Sequence, residues 1–156
     1  MALGSPISVQ GPMGIFTLHE DTSKPAVYLI GGIGITPARS MILQATQDHL
    51  SHSFYLFYSN RRPEDAAFMT EFQQLEKENP KFKLIATMTD MSKSNQPWLG
   101  ETSYITRAMM ENHIPDIKSA IYYLCGPPPF ITAMQKMLKE MEVDRKSVKV
   151  DAFTGY

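Results

Sequence analysis

From residue 24 onward the chain alternates between short apolar runs and stretches with helical spacing, and this restricts its fold more than any other feature. Residues 26–30 are continuously apolar, as expected of a strand covered on both faces. Residues 53–58, 82–87, 120–124 and 148–153 are the other strand candidates. Between them Ala38, Met41, Ile42, Ala45 and His49 recur at helical spacing, as do Phe68, Phe72 and Leu75 behind the acidic start Pro63-Glu64-Asp65. Phe130, Met134, Met137, Leu138 and Met141 form a further stripe, and a shorter helix is predicted over residues 102–112. Repeated strand–helix units close into a parallel sheet through right-handed crossovers. The expected fold class is therefore α/β: a doubly wound, parallel five-stranded sheet flanked by helices, Rossmann-like.

Two strand-to-helix junctions are rich in glycine and proline: Gly31-Gly32-Ile33-Gly34-Ile35-Thr36-Pro37 and Cys125-Gly126-Pro127-Pro128-Pro129-Phe130. A backbone that approaches a ligand closely needs residues without Cβ, and a helix N-terminus presents N–H groups to an anion. In open α/β sheets ligands bind at the carboxyl ends of the strands, where both junctions fall. The pair reads as a device for holding a dinucleotide. In the first junction the Ile35 and Thr36 amides face a pyrophosphate, and the Thr36 hydroxyl either bonds phosphate or caps the helix that Pro37 opens. The pattern departs from G-x-G-x-x-G, because Pro37 replaces the third glycine and no acidic residue ends the second strand. Alone, the junction also admits the lesser reading of a ligand-free turn.

In the second junction Cys125 is either a small buried thiol or a compact, polarisable group set against a flat ring. A nucleophilic role needs a base, and no histidine lies nearby in sequence. Ending the second strand, Tyr58-Ser59-Asn60-Arg61-Arg62 offers a guanidinium that stacks on adenine or pairs with phosphate, or is simply a solvated basic turn.

Composition removes several alternatives. A formal net charge of −1, with lysine and arginine scattered, argues against nucleic acid as a partner. No stretch is long and apolar enough for membrane insertion. With a single cysteine there is no intrachain disulfide and no thiolate-based zinc site, and the four histidines show no metal spacing and read as surface or helix-face residues. The first residues lack the features of a secretion signal, so a cytoplasmic setting is expected. Residues 7–9 and 16–18 read as short strands around the turn Gly11-Pro12-Met13-Gly14, too little to fold alone.

Taken together, the two junctions and the closing segment Asp151-Ala152-Phe153-Thr154-Gly155-Tyr156 resemble the C-terminal pyridine-nucleotide domain of the ferredoxin–NADP reductase superfamily, over nearly the whole chain. The resemblance implies residues 1–20 as the end of a flavin-binding β-barrel and 21–156 as an NAD(P)-binding domain. It further implies a nicotinamide cofactor that passes hydride to FAD or FMN, a flavin-binding domain in cis or in trans, and an electron acceptor such as an iron–sulfur or haem protein. FAD belongs to the complete protein and not to this chain. Carried over to these positions, Gly32, Gly34 and Thr36 cradle the pyrophosphate, with Gly31, Ile33, Ile35 and Pro37 as further cofactor-binding residues of the same turn. Cys125, Gly126 and Pro127 border the nicotinamide, with Pro128 and Phe130 as further cofactor-binding residues and Cys125 as the catalytic candidate, and Phe153 or Tyr156 approaches the flavin side. Ser59, Asn60, Arg61 and Asp90 would hold the adenosine end. Where relatives that prefer NADP often carry Ser-Arg, this chain has Thr87-Met88-Thr89-Asp90, and an acid there favours NADH, with NADPH kept open by Asn60, Arg61 and Arg62. Asp151 is one methylene shorter than the usual glutamate, and Ile33 replaces a frequent threonine. The alternative function is a non-catalytic dinucleotide-binding regulatory module.

Overall fold

A computed structural model describes residues 4–8, 11 and 14–153 of the chain. Five strands form: β1 (Ala26–Gly31), β2 (Phe54–Asn60), β3 (Phe82–Met88), β4 (Ile121–Gly126) and β5 (Val148–Ala152). They make one parallel sheet in the order β3-β2-β1-β4-β5, interleaved with helices α1 (Ile35–Gln47), α2 (Met69–Glu78), α3 (Arg107–His113) and α4 (Pro128–Glu140). The fold class read from the alternation is the observed one.

Burial follows strand periodicity. Every residue of β1 is buried, its alternate side chains serving opposite faces. Tyr28 and Ile30 join Ile35, Ala38, Ile42 and Phe72 on the face of α1 and α2. On the other face Val27 and Leu29 join Met109, Met110, Ile131, Met134 and Leu138 of α3 and α4. Each large side chain removed from water in this way contributes about 1.5–3 kcal/mol. Register aligns the carboxyl ends of the central strands: Ile30 lies between Tyr58 and Cys125, and Gly31 lies opposite Ser59. The strand order reverses at β1, which has β2 on one side and β4 on the other, and a crevice opens there. The outer edge of β3 is covered where Met88 N–H and Trp98 Nε1 both donate to the Glu101 carbonyl, each at 2.9 Å.

Several local expectations are corrected. The helix after β1 does not begin with Thr36 as its cap. A 3-10 turn, Gly32–Gly34, precedes it, Gly34 is the N-cap, and the Thr36 hydroxyl only reaches the Ile33 carbonyl at 3.5 Å. Pro63–Asp65 is an isolated 3-10 turn rather than a helix start, because Phe68 adopts a left-handed conformation (φ 61°) before α2 begins. That places Phe68 outside the inner stripe, 42% exposed beneath the Arg39 guanidinium, which sits 4.6 Å from its ring centroid. The short helix starts at Arg107, capped by the Thr106 hydroxyl, which accepts from Met109 N–H. Strand β4 runs one residue past Cys125, so Gly126 pairs with Ala152 inside the sheet. Residues 16–18 form no strand. Nor do Ile7 and Ser8, and Val9 lies outside the described residues. His52 is not a surface residue but 2% exposed. Among the described residues no helix is long and apolar enough to cross a membrane.

Candidate functional site

Above the carboxyl ends of β1, β2, β3 and β4 lies a cleft of about 860 Å³. Gly31 and Gly32 form one wall, Pro127, Pro129 and Phe130 a second, and Ser59 to Arg62 with Thr89 and Asp90 a third. The size is that of a typical small-molecule or cofactor pocket.

The walls differ in chemistry because their local structures differ. At Gly32 φ is +53°, and a Cβ built there meets nothing within 4 Å, so backbone lies open to the cleft where a side chain would otherwise stand. Phe130 covers Gly31, its Cγ 3.0 Å from where a Cβ would be. Helix α4 begins with Pro128 and Pro129 behind the N-cap Pro127. Prolines carry no N–H, so this helix start offers apolar rings rather than the amide donors of an anion site. It suits a flat, weakly polar ring, while the open glycine backbone suits a phosphate.

At the third wall charges are largely spoken for. Arg62 is held in a two-point pair with Asp65, at 2.8 and 3.0 Å. Asp90 accepts from both the amide and the hydroxyl of Ser92, and those bonds hold its carboxyl below the usual range. Its Oδ1 thus ends a turn, and Asp90 lines the cleft at the end where a ribose hydroxyl is expected. Arg61 is exposed, and among the described residues its guanidinium has no ion-pair partner. Asn60 is buried, and its Nδ2 makes no hydrogen bond of good geometry, although the Tyr58 hydroxyl is close enough to feel it.

The remaining anticipated residues lie elsewhere. Gly34 is buried, and Ile33 is half exposed, outside the cleft lining. Ile35 is wholly buried, and its amide donates to the Gly32 and Ile33 carbonyls, so it does not face the cleft as expected. Thr36 and Pro37 belong to the first turn of α1 and do not line the cleft. Cys125 has no exposed surface and packs with the α1-face cluster. Burial, reinforced by the Asp151 charge, pushes its thiol up to about 12, so it is neutral and no nucleophile. Gly126 and Pro128 flank the cleft without lining it. Phe153 packs against the same cluster as Cys125 and donates its amide to the Gly126 carbonyl at 3.2 Å. Tyr156 lies outside the described residues.

Sequence reasoning missed Asp65, Lys93, Tyr104, Ile105, Ala133 and Met134. Two were within reach: Ala133 and Met134 follow Phe130 by three and four residues, so they share its helix face. Among the described residues no cluster of three or more histidine, cysteine or acidic side chains could hold a metal.

Residues 29–136 match the family described as oxidoreductase NAD-binding domain. One subunit of the Na(+)-translocating NADH-quinone reductase of Methylococcus capsulatus is 33% identical over 97% of this chain and 38% of its own length. The glycine betaine monooxygenase reductase subunit of Chromohalobacter salexigens is 28% identical over 98% of this chain and 42% of its own length. Among solved structures, a cytochrome P450 reductase of Amycolatopsis superposes with a TM-score of 0.78 at 26% identity, covering 93% of this chain and 43% of that one. The chain thus spans about two fifths of the length of the curated relatives it matches.

Proposed function

This chain belongs to the oxidoreductase NAD-binding domain family, and from that membership we propose that it is the pyridine-nucleotide half of a flavin-dependent reductase, holding NAD(P)H for oxidation by a flavin bound elsewhere. The observation that carries the reading is the cleft itself, with open backbone at Gly32 facing a helix start at which three successive prolines carry no amide donor. A dinucleotide has both kinds of moiety, and this arrangement offers each its complement.

When bound, the nicotinamide supplies hydride and the flavin of the complete protein accepts it. Everything else is positioning by this chain. Gly31 and Gly32 receive the pyrophosphate against bare backbone. Ser59, Asn60 and Arg61 hold the adenosine end, with Asn60 Nδ2 as a donor awaiting an acceptor. Pro127, Pro129 and Phe130 limit the nicotinamide end and exclude water from one side of it. Cys125 has no exposed surface, so it comes against a ring only if the groups that cover it move. Its role would be shape and polarisability, since a thiol at about 12 moves no proton at neutral pH.

Residues 1–20 are proposed as the end of the flavin-binding barrel and 21–156 as the nucleotide domain. The flavin domain is the required partner. An iron–sulfur or haem protein is the proposed acceptor, and a cytoplasmic setting completes the reading. An amide-resolved NMR titration with NADH and then NADPH tests it. Shifts concentrated at Gly31, Gly32, Ser59 to Arg62 and Phe130 are expected. No localised shift with either nucleotide at millimolar concentration would overturn the reading.

A further inference from the structure

The two edges of the sheet are finished differently. Beyond β3 the chain closes its own edge: Met88 N–H donates to the Glu101 carbonyl at 2.9 Å, and Leu84 N–H donates to Glu76 Oε1 at 3.0 Å. Beyond β5, the last strand in the order, no further strand follows among the described residues. An open edge of this kind offers its backbone groups to another strand. The ladder decides which groups are offered. Phe153 N–H points inward to the Gly126 carbonyl at 3.2 Å, and direction alternates along a strand, so the backbone of Lys149 and Asp151 also points inward. Val148, Val150 and Ala152 therefore turn their backbone outward. Of these, Val148 N–H is already bonded to the Arg145 carbonyl. Val150 is 40% exposed, beside a groove of about 690 Å³ that Leu138, Val143 and Val148 also line. On the other face Lys149 Nζ donates one of its protons to the Thr17 carbonyl at 2.8 Å and keeps the rest. Asp151 pairs with no cation among the described residues.

We infer that β5 is the seat of a two-fold contact with a second copy of this chain, the two β5 strands running antiparallel with Val150 opposite Val150. The segment Val148-Lys149-Val150-Asp151-Ala152 is complementary to itself when reversed. In that register the Val150 N–H and C=O bond those of Val150 in the second copy, and each Ala152 N–H reaches a Val148 carbonyl. Lys149 and Asp151 of the two copies then fall opposite each other at the positions without hydrogen bonds, where Cα atoms approach to about 4.5 Å and side chains are closest. Opposite charges facing one another there stabilise the pairing, and like charges destabilise it. The neighbouring registers are excluded on this ground: centring on residue 149 sets Lys149 against Lys149, and centring on residue 151 sets Asp151 against Asp151. A slip by one residue sets outward backbone against inward backbone. On the opposite face the two Val150 side chains stand side by side at the groove, which removes apolar surface from water. The symmetric contact occupies both β5 edges, and the β3 edges are closed, so assembly stops at two chains. Antiparallel strands send their carboxyl ends in opposite directions. The two clefts then lie at opposite ends of the joined sheet and stay open, so the contact is independent of what the cleft binds.

The test is the mass of this chain by sedimentation equilibrium from about 1 μM to about 1 mM, a range that captures transient association. The expected result is a monomer–dimer equilibrium with no larger species. Amide exchange in the same samples should show Val150 and Ala152 gaining protection as the dimer fills, while the β4 amides are protected throughout. Asp151→Lys, which sets a second cation against Lys149, should weaken association about tenfold or more. Lys149→Asp combined with Asp151→Lys should restore it. Protected β4 amides in each variant show that it still folds. A monomer at every concentration overturns the inference and leaves the edge to a different segment. So does a dimer in which Val150 and Ala152 stay unprotected, a dimer indifferent to Asp151→Lys, or a double variant that associates no better than the single one. None of these readouts involves nucleotide, so failure of the contact and failure of the proposed function are told apart.

Discussion

Gly34 lies against the backbone of Cys125: a Cβ at position 34 would stand 2.5 Å from the Cys125 carbonyl oxygen and 2.8 Å from the Gly126 nitrogen. No side chain fits there without moving β4 away from the first turn of α1. Gly34→Ala should therefore destabilise the domain by about 3 kcal/mol or more, at the upper end for overpacking. Gly32→Ala has open space and bears only the strain of φ +53°, about 1–2 kcal/mol, but it places a methyl on the pyrophosphate path. Urea denaturation and nucleotide titration of the two variants should thus give opposite patterns, with folding lost at 34 and affinity lost at 32. Equal stability of Gly34→Ala and wild type would refute the close approach.

Burial of Cys125 predicts both reactivity and alkaline behaviour. With the thiol pushed up to about 12, iodoacetamide at pH 8 should label it in the native domain far more slowly than in urea. The sign of the stability effect follows from linkage. Below the ordinary value of 9.0 the thiol is protonated in both states, and between there and about 12 only the unfolded chain loses its proton. The unfolded state then binds fewer protons, so stability falls as pH rises. Cys125→Ala should lower stability overall but flatten this decline between pH 9 and about 10, before the tyrosines take part. An unchanged slope in the variant would assign the effect to other groups.

Arg61 and Arg62 are neighbours with unequal freedom. Asp65 neutralises Arg62 through two bonds, while the Arg61 guanidinium has no ion-pair partner among the described residues. If a 2′-phosphate enters the cleft, Arg61 is the side chain that meets it. Arg61→Ala should weaken NADPH binding about tenfold, the scale of one charge-assisted hydrogen bond, and leave NADH within about twofold. Arg62→Ala should change the ratio less. A uniform loss for both nucleotides would place Arg61 at the shared pyrophosphate instead.

What was readable in the sequence was local. The all-apolar run of β1 needs cover on both faces, and one such strand with helical stripes around it leaves few arrangements open. Gly31, Gly32, Pro127 and Phe130 were legible as cleft walls because their turn chemistry has few other uses. The rest depends on partners distant in the chain. Pro63-Glu64-Asp65 has the composition of a helix start, yet α2 waits until Met69, since Arg39 reaches across from α1 to Phe68 and Glu71. His52, flanked by Ser51 and Ser53, reads as loop, yet it is buried, and its partner is the His19 carbonyl, distant in the chain. Lys93 and Tyr104 reach the cleft through an aperiodic stretch whose path no spacing announces.

Two threonines separate a cap that looks right in sequence from one that is made. Thr36 precedes a proline and resembles an N-cap, but it sits within the first turn of α1, its hydroxyl 3.5 Å from the Ile33 carbonyl, too long for a strong bond. Thr106 has the geometry: extended backbone at φ −118°, ψ 160° and an oxygen accepting from Met109 N–H at 3.2 Å. Thr106→Ala should cost about 1 kcal/mol, the usual worth of a cap. Thr36→Ala should stay within about 0.5 kcal/mol of wild type, as for a surface substitution. Urea midpoints at matched slope read both. A larger loss at 36 than at 106 would return the cap to Thr36 and move the start of α1 with it.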